Sequence, residues 1–596
     1  MARGLAWGER MAKILSLGLF GHNKSGKTIL GEALLFKAKA VERFGDINSG
    51  TTTLDYDEEA IKRQMSVSVS LGFFEWNGAR IYLVDSPGYM DFVGEQLGAL
   101  EAADVALINV AADGGIEVGT ERIWELIHQR KIPAVVFVNK LDVPEINLNQ
   151  LWEEMEKCFG KRLVFVTYPV FKDKQLSGVS RLLDGETGPS DYRQKALDSL
   201  AELDDGLMEK YLETGQLSPE DISILLKKGI LEGKVMPVLC GSALNSIGVE
   251  ELLDFISRYL PGSEELPPVA GQAPGGEPLV RERSSEQPLS GVIFKTISDP
   301  FVGRLSYLKV RSGKLVANNA LFNSSRNVKE RLGNLLRLQG KKQETVTEAL
   351  PGEVVAVAKL MESRTFDTFS DPGAAIIYPV PAIPEGAVSY SITPKVKGTE
   401  DKLGNAIGRI TEEDPTIKVF RDPETGETIL SGMGDVHLDV TINKFKNRYG
   451  VEVEKGIPKI AYKETITVAA QGEGKHKKQT GGRGQYGHCF VKVEPLPRGA
   501  GYEFVDEIVG GAIPRNFIPS VEKGVREGLQ RGVLARYPIV DIRVRLYDGS
   551  YHVVDSSDIA FQLAGILAVQ KAVSEARPIL LEPIVKNLAA TGKLEH

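Results

Sequence analysis

Gly21-His22-Asn23-Lys24-Ser25-Gly26-Lys27-Thr28 lies between an apolar run, Ile14 to Phe20, and a helix-like stretch, Ile29 to Ala38. Between a strand and a helix, this spacing builds a phosphate cradle. Backbone N–H groups wrap the phosphates, the Lys27 ammonium reaches the β and γ oxygens, and the Thr28 hydroxyl ligates Mg²⁺. The octet predicts nucleoside triphosphate binding, with Lys27 also placed as a catalytic group.

Three further strings follow apolar runs in the same order along the chain. Asp85-Ser86-Pro87-Gly88 follows Ile81 to Val84, where a strand end holds Asp85 near the magnesium shell and swings the Gly88 N–H toward a γ-phosphate. Asn139-Lys140-Leu141-Asp142 follows Ala134 to Val138, and the Asp142 carboxylate can accept both the N1–H and the 2-amino group of guanine, which adenine does not offer. Ser242-Ala243-Leu244 follows Val238-Leu239-Cys240 and brings a backbone N–H toward the guanine carbonyl oxygen. Together the strings predict GTP and GDP, bound with Mg²⁺.

With these strings in place, the sequence resembles the translational GTPases, and closely the elongation factor G family, from about Ile14 to Ile584. Phe294-Lys295-Thr296-Ile297-Ser298-Asp299-Pro300 is similar to the start of that family's second domain. Ser431-Gly432-Met433-Gly434-Asp435-Val436-His437-Leu438 is similar to its third, and Gly481-Gly482-Arg483-Gly484-Gln485-Tyr486-Gly487 and Gly549 to Ser557 to its fourth. The resemblance implies a multidomain α/β protein: a P-loop GTPase domain with a parallel sheet, a β-barrel second domain, a ferredoxin-like α+β third domain and an α+β fourth domain. It also implies a cytoplasmic monomer that acts on the ribosome, with ribosomal RNA and tRNA–mRNA as partners, in GTP-driven translocation. The alternative in the same family is a slow-turnover factor occupying the same ribosomal site, as a protection or stress paralogue.

The most basic stretch, Lys475-His476-Lys477-Lys478 running to Arg483, reads as a bent loop, with Gly481, Gly482, Gly484 and Gly487 letting backbone and arginine approach phosphates. By the resemblance this loop and the one bearing His552 form a tip that enters the decoding site, so Lys477, Lys478, Arg483, Gln485, Tyr486 and His552 are expected RNA contacts.

Three segments depart from the family pattern. Tyr89 stands where a histidine positions the hydrolytic water, and a phenol, with a pKa near ~10, is a poor base at neutral pH. Arg63-Gln64-Met65-Ser66 replaces Arg-Gly-Ile-Thr, keeping a hydroxyl for Mg²⁺ at Ser66 but losing a glycine. Lys24 occupies a position that is usually aspartate. The expected catalytic set is therefore Lys27, Gly88 and Tyr89, the last also lining the nucleotide, and the expected metal set is Thr28, Ser66 and Asp85.

The elements that must carry these residues follow from patterning. At 596 residues, with 42% hydrophobic and 26% charged residues, about four domains are expected. Residues 11–260 alternate strand-like and helical runs, with a shortened insertion at about 143–234; 261–288 is Pro- and Gly-rich and reads as a linker. Short β runs fill 289–380, β-α-β patterning fills 381–460, and 461–586 forms the last domain. The family continues into a fifth domain where this chain stops, and residues 587–596 read as a vector remnant leading into a tag. Net charge is −8, so any RNA contact must be local. Cys158, Cys240 and Cys489 show no metal-like spacing, as in a reducing cytoplasm, and read as apolar fillers. No apolar stretch approaches the ~20 residues of a membrane span; residues 1–10 read as an extension and Ile14 to Phe20 as a first strand rather than a signal peptide.

Overall fold

Glycine and polar turns cut the first half of the chain into short apolar runs, and these become a seven-stranded sheet in the computed structural model, which describes residues 13–183, 189–299, 303–479 and 484–583. In chain order the first elements are β1 (Lys13–Phe20), α1 (Lys27–Lys37), α2 (Glu58–Arg63), β2 (Ser70–Trp76), β3 (Ala79–Asp85), α3 (Val93–Ala102), β4 (Val105–Ala111), α4 (Val118–Gln129) and β5 (Ala134–Asn139). There follow α5 (Leu148–Phe159), β6 (Leu163–Phe165), the hairpin β7 (Thr167–Lys172) and β8 (Gln175–Arg181), α6 (Ser190–Ala201), α7 (Asp205–Thr214), α8 (Pro219–Leu231), β9 (Met236–Cys240) and α9 (Val249–Tyr259).

The sheet order is β2-β3-β1-β4-β5-β9-β6, parallel except for the β2–β3 pair. Leu15, Leu17 and Leu19 enter one core while Phe20 enters the other, so the sheet is covered on both faces and its strands are continuously apolar. Register places Leu19 opposite Asp85. This alone brings the octet that leaves β1 beside the acidic string that leaves β3. The insertion is not a separate body: Ala196, Leu197, Leu200, Leu225, Leu226 and Ile230 join the same core as α1 and α9.

The segment expected as a linker, 261–288, is structured. Val269–Gln272 pairs with Pro278–Arg281, and Arg281, buried, donates to the carbonyls of Pro288 and Ala374. Its proline and glycine content sets the intervening turn, where Gly276 has φ 93°. The expected barrel is an eight-stranded antiparallel sheet from Ser290–Asp299 to Thr368–Ser370 over a core that includes Ile293, Leu308, Val310 and Phe369. The next region packs α10 (Glu400–Glu413) and α11 (Asp435–Tyr449) on a four-stranded sheet.

The chain divides into two compact units, one running through Phe420 together with Thr428–Gly456, the other holding Arg421–Glu427 and the chain from Ile457 onward. In the second unit, α12 (Ile518–Leu529) and α13 (Asp558–Glu575) cover one face of a sheet ordered Ala470–Lys478, Gln485–Pro495, Ile542–Ser550, Tyr502–Asp506. The basic stretch Lys475 to Lys478 is therefore strand rather than loop, paired as far as Lys478 with Gln485. Gly487 serves helix–sheet approach rather than a bend: a Cβ there would lie 2.3 Å from the Ala560 carbonyl oxygen. Cys240 and Cys489 are buried and Cys158 half-buried; burial pushes the thiols up, to about 12, about 12 and about 11. Among the described residues no helix is long and apolar enough to cross a membrane.

The seven-stranded sheet is joined to the eight-stranded antiparallel sheet by a buried charge cluster. Asp104 is fully enclosed; Lys309 Nζ lies 2.6 Å from its Oδ2 and Arg283 Nη1 3.1 Å from its Oδ1, while Lys309 also donates to Ser16 Oγ and the Gly352 carbonyl. Burial opposes ionisation of Asp104, but the two cations outweigh it and hold its carboxyl below the usual range. Replacing Asp104 by Asn leaves two buried cations without a counter-charge, a loss of about 3–5 kcal/mol. Urea unfolding should show that loss, with the Asp104→Asn, Lys309→Met pair restoring part of it; equal midpoints for Asp104→Asn and the unmodified protein would contradict this account.

Candidate nucleotide site and its switch contacts

The octet forms a tight loop from the end of β1 into α1. Gly21 has φ 138° and Gly26 φ 90°, both in the region that favours glycine, and Lys24 adopts φ 62° at a modest backbone cost. The loop is gripped from beneath. The Ser25 carbonyl accepts from Asn109 Nδ2 at 2.7 Å and from Asn139 Nδ2 at 3.2 Å. Asn109 escaped the sequence reading, although it is the sole polar residue in the strand Val105–Ala111, which is the signal that could have found it. His22 accepts the Gly119 N–H at Nδ1 and faces Glu117 through Nε2 at 3.3 Å. Lys27 is buried, with its ammonium donating to the His22 carbonyl at 2.8 Å. Gly88 closes over it: a Cβ at Gly88 would lie 2.2 Å from Lys27 Nζ and 2.8 Å from the Asn23 N. Ser86 Oγ donates to the Leu19 carbonyl, and the Pro87 carbonyl accepts from Gln96, fixing the turn after β3.

Beside Lys27 runs a chain of oxygens. Thr28 Oγ1 donates to Asp85 Oδ2 at 2.8 Å and lies 3.1 Å from Ser66 Oγ, which donates to Asp55 Oδ2 at 3.0 Å. Thr28, Ser66 and Asp85 are thus brought together, and Asp55 joins them unforeseen. Asp85 Oδ1 is buried with no hydrogen-bond partner among the described residues. Burial pushes the Asp85 carboxyl up to about 7, reinforced by the Asp55 charge and opposed by Lys27. Burial likewise lowers Lys27 to about 8 and raises Asp55. Hard oxygens around an unmatched buried carboxylate suit a hard divalent cation.

The base-recognition strings also converge. Asn139 Oδ1 accepts from the N–H groups of Lys140 and Ala243, each at 2.9 Å, tying β5 to the turn after β9. Of the Ser242-Ala243-Leu244 string, the Ala243 N–H is engaged with Asn139. Lys140 adopts φ 61° with its ammonium 3.2 Å from Asp113, and exposed Asp142 accepts from Asn245 Nδ2 at 3.0 Å. Ser242 Oγ accepts the Asn245 N–H, and Leu244 stands 65% exposed at the rim.

Two segments near the phosphate loop are read by one distant helix, α11. Asp91, two residues after Tyr89, accepts the N–H groups of Val436 and His437 at 3.1 and 3.3 Å and so caps α11. At the other end of α11, Arg448 pairs with Asp57 at 2.8 Å, and Asn443 donates to Glu59 at 3.0 Å, both carboxylates lying at the start of α2. Glu32 of α1 accepts the N–H groups of Thr53 and Leu54, anchoring the strand of chain before α2. Gln64 ends α2 at φ 51°, a left-handed position where the lost glycine would sit without strain. Tyr89 packs half-buried among Ala60, Met65, Val67, Phe92, Val436 and Val440. The contacts of α11 were not visible in the sequence, because they link segments more than 300 residues apart along the chain.

In the second unit, Tyr486 and His552 come together, with ring centroids 6.3 Å apart. Lys477, Lys478 and Gln485 lie exposed on adjacent strands, and His552 Nδ1 accepts from the N–H groups of Val554 and Asp555. Arg483, Gly481 and Gly482 lie outside the described residues.

Comparison with known proteins adds identity to this geometry. Family models match in sequence: Elongation factor Tu GTP binding domain over residues 12–262, Elongation factor G domain 2 over 288–371, domain III over 383–457 and domain IV over 458–577. An elongation factor G-like protein of Thermotoga maritima is 40% identical over 591 residues, covering 97% of this chain and 86% of its own. A crystal structure of a Thermus thermophilus protein aligns with TM-score 0.80 at 35% identity, covering 96% of this chain and 86% of that one. The phosphate loop, the guanine strings and the successive domains thus have one origin, and the chain belongs to the elongation factor G family of translational GTPases.

Proposed function

We propose that this protein binds GTP with Mg²⁺, hydrolyses it to GDP and phosphate, and acts as a cytoplasmic monomer on the ribosome in tRNA–mRNA movement. The observation that carries the reading is the hydrogen-bonded run Asp85–Thr28–Ser66–Asp55 beside buried Lys27, which joins the phosphate loop to the segment after α2. Thr28, Ser66 and Asp85 would hold Mg²⁺, whose charge offsets that of the β and γ oxygens. Lys27 supplies a fixed positive charge in a water-poor site, and the Gly88 N–H is placed for the γ-phosphate. Asn139, Lys140, Asp142 and the Ser242–Leu244 turn form the base end of the cradle. Lys477, Lys478, Gln485, Tyr486 and His552, with Arg483, would meet ribosomal RNA or the tRNA–mRNA.

Slow turnover is favoured by one specific feature. Tyr89 occupies the position of the water-positioning histidine, and its ring is held in an apolar cluster with α11. A phenol there lacks the basicity to orient the attacking water. Tyr89→His should raise ribosome-stimulated GTP hydrolysis by about 10-fold or more, measured as phosphate release at saturating ribosomes. If Tyr89→His and Tyr89→Phe both turn over as the unmodified protein does, position 89 does not govern the chemistry.

Base selection rests on Asp142. In Asp142→Asn an amide donor replaces one acceptor, which reverses the pattern offered to the guanine edge, so preference should move from guanosine to xanthosine nucleotides by about 100-fold or more. Competition titrations with fluorescent GDP read this directly, and equal affinity of the unmodified protein for ATP and GTP would refute the guanine assignment.

A further inference from the structure

The sheet of the second unit has one face under α12 and α13 and one face open. Gly487, Cys489, Val491 and Val493 point to the helices, so their neighbours Tyr486, His488 and Phe490 share the opposite face, joined by Tyr547 from the adjacent strand. Their rings form a continuous strip with His552. Centroids are 6.3 Å apart for His552 and Tyr486, 6.5 Å for Tyr486 and His488, 4.8 Å for His488 and Phe490, and 6.2 Å for Phe490 and Tyr547. The polar edges of the strip are pinned: Tyr486 Oη and His488 Nδ1 both bond Ser550 Oγ, at 2.9 and 2.8 Å, and His488 Nε2 lies 3.0 Å from Glu473. Pinned rings lose little rotamer freedom when something stacks on them.

Charge along this face is uneven. Away from the tip, Lys492 and Arg545 pair with Glu494, Arg545 also with Glu507, and Arg543 with Glu503. Beside the rings, Lys475 lies opposite His488 and Lys477 opposite Tyr486, both exposed and with no ion pair among the described residues. The two lysines without a counter-charge therefore lie at the tip end of the ring strip, while the carboxylates Glu473 and Asp548 flank its other end at Phe490. Stacking surfaces interleaved with cations suit unpaired nucleotides, whose bases offer π faces and whose backbone is anionic. A duplex keeps its bases stacked inside.

We propose that this open face is a stacking platform for single-stranded RNA, extending the contact surface from the tip residues down the strip to Phe490 and Tyr547. The proposal rests on the ribosome-facing reading of this unit. Lys475 and Lys477 flank the strip on the neighbouring strand, which favours an anionic partner over an apolar peptide.

The test is fluorescence anisotropy of a labelled 12-nucleotide single-stranded RNA and of its duplex with the full chain. Two paired substitutions are compared, Phe490→Leu with Tyr547→Leu, which removes rings, and Phe490→Tyr with Tyr547→Phe, which keeps them. The ring-removing pair should weaken single-strand binding about 10-fold or more, with the ring-keeping pair unchanged, and Lys475→Gln with Lys477→Gln should reduce the salt slope by roughly 1.4. Equal binding by the ring-removing and ring-keeping proteins, or tighter binding of the duplex, would overturn the platform. Co-sedimentation of the unmodified protein with ribosomes and a non-hydrolysable GTP analogue tests the parent reading separately, since the titration uses free RNA alone.

Discussion

A single buried carboxylate, Asp104, sets the frame on which the first unit is built. Its charge is tolerable in the interior because cations arrive from two places in the sequence, Arg283 in the segment after the GTPase core and Lys309 in the antiparallel sheet, and because the Ser16 N–H and hydroxyl complete the hydrogen bonding. Buried ion pairs contribute little net stability when complete, yet losing one member is costly. Their value is specificity of arrangement: an apolar interface tolerates sliding, whereas a fully enclosed charge cluster has one satisfied geometry. Asp104 immediately precedes β4, the strand that carries Asn109 beneath the phosphate loop. The same strand thus touches both the inter-domain cluster and the nucleotide cradle.

With that frame fixed, α11 becomes the element that contacts both segments beside the cradle. Its N-terminal N–H groups are capped by Asp91, from the turn after Gly88, and its C-terminal half holds Asp57 and Glu59 at the start of α2. Both partner segments reach the phosphate site, one through Gly88 against Lys27 and the other through Ser66 against Thr28. A change in either segment alters hydrogen bonds to the same rigid helix. Switching proteins use packed elements of this kind, in which a local charge event biases the contacts at either end. Met65 and Ser66 follow directly on left-handed Gln64, so the residue that strains the turn also places the hydroxyl that meets Thr28.

The second unit solves a different problem with small residues. Gly472 and Gly474 let α13 approach until a Cβ on either would lie 2.1 or 1.9 Å from its backbone, and Ala564, Ala568 and Ala572 line the facing side of the helix. This close packing occupies one face of the sheet completely. The bulky and polar residues of the alternate register are thereby placed together on the other face, which is how the aromatic strip arises.

The sequence by itself held the strings that carry the family resemblance and the candidate nucleotide site. The phosphate octet, the Asp85 string and the guanine strings are local: each needs only a strand before it and a turn or helix after it, and neighbouring residues carry that information. The alternation of strand-like and helical runs was legible for the same reason, as periodicity and turn residues act over short distances, whereas the succession of domains was read from strings resembling the family. Tertiary structure decided everything that depends on partners far apart along the chain. Asn109 read as one polar residue in an apolar strand until the loop was folded above it. Asp104, Asp91 and Arg448 are ordinary surface-type residues on paper, and only packing brings their partners within hydrogen-bond reach. Residues 261–288 read as a linker because proline and glycine content reports turns and not the ladder between them. Lys475 to Lys478 read as a loop because charge masked the alternation of a strand whose buried inward positions, Gly472 and Gly474, are glycines. Local spacing encodes which groups can do chemistry; burial and long-range pairing fix where those groups stand and which of them act together.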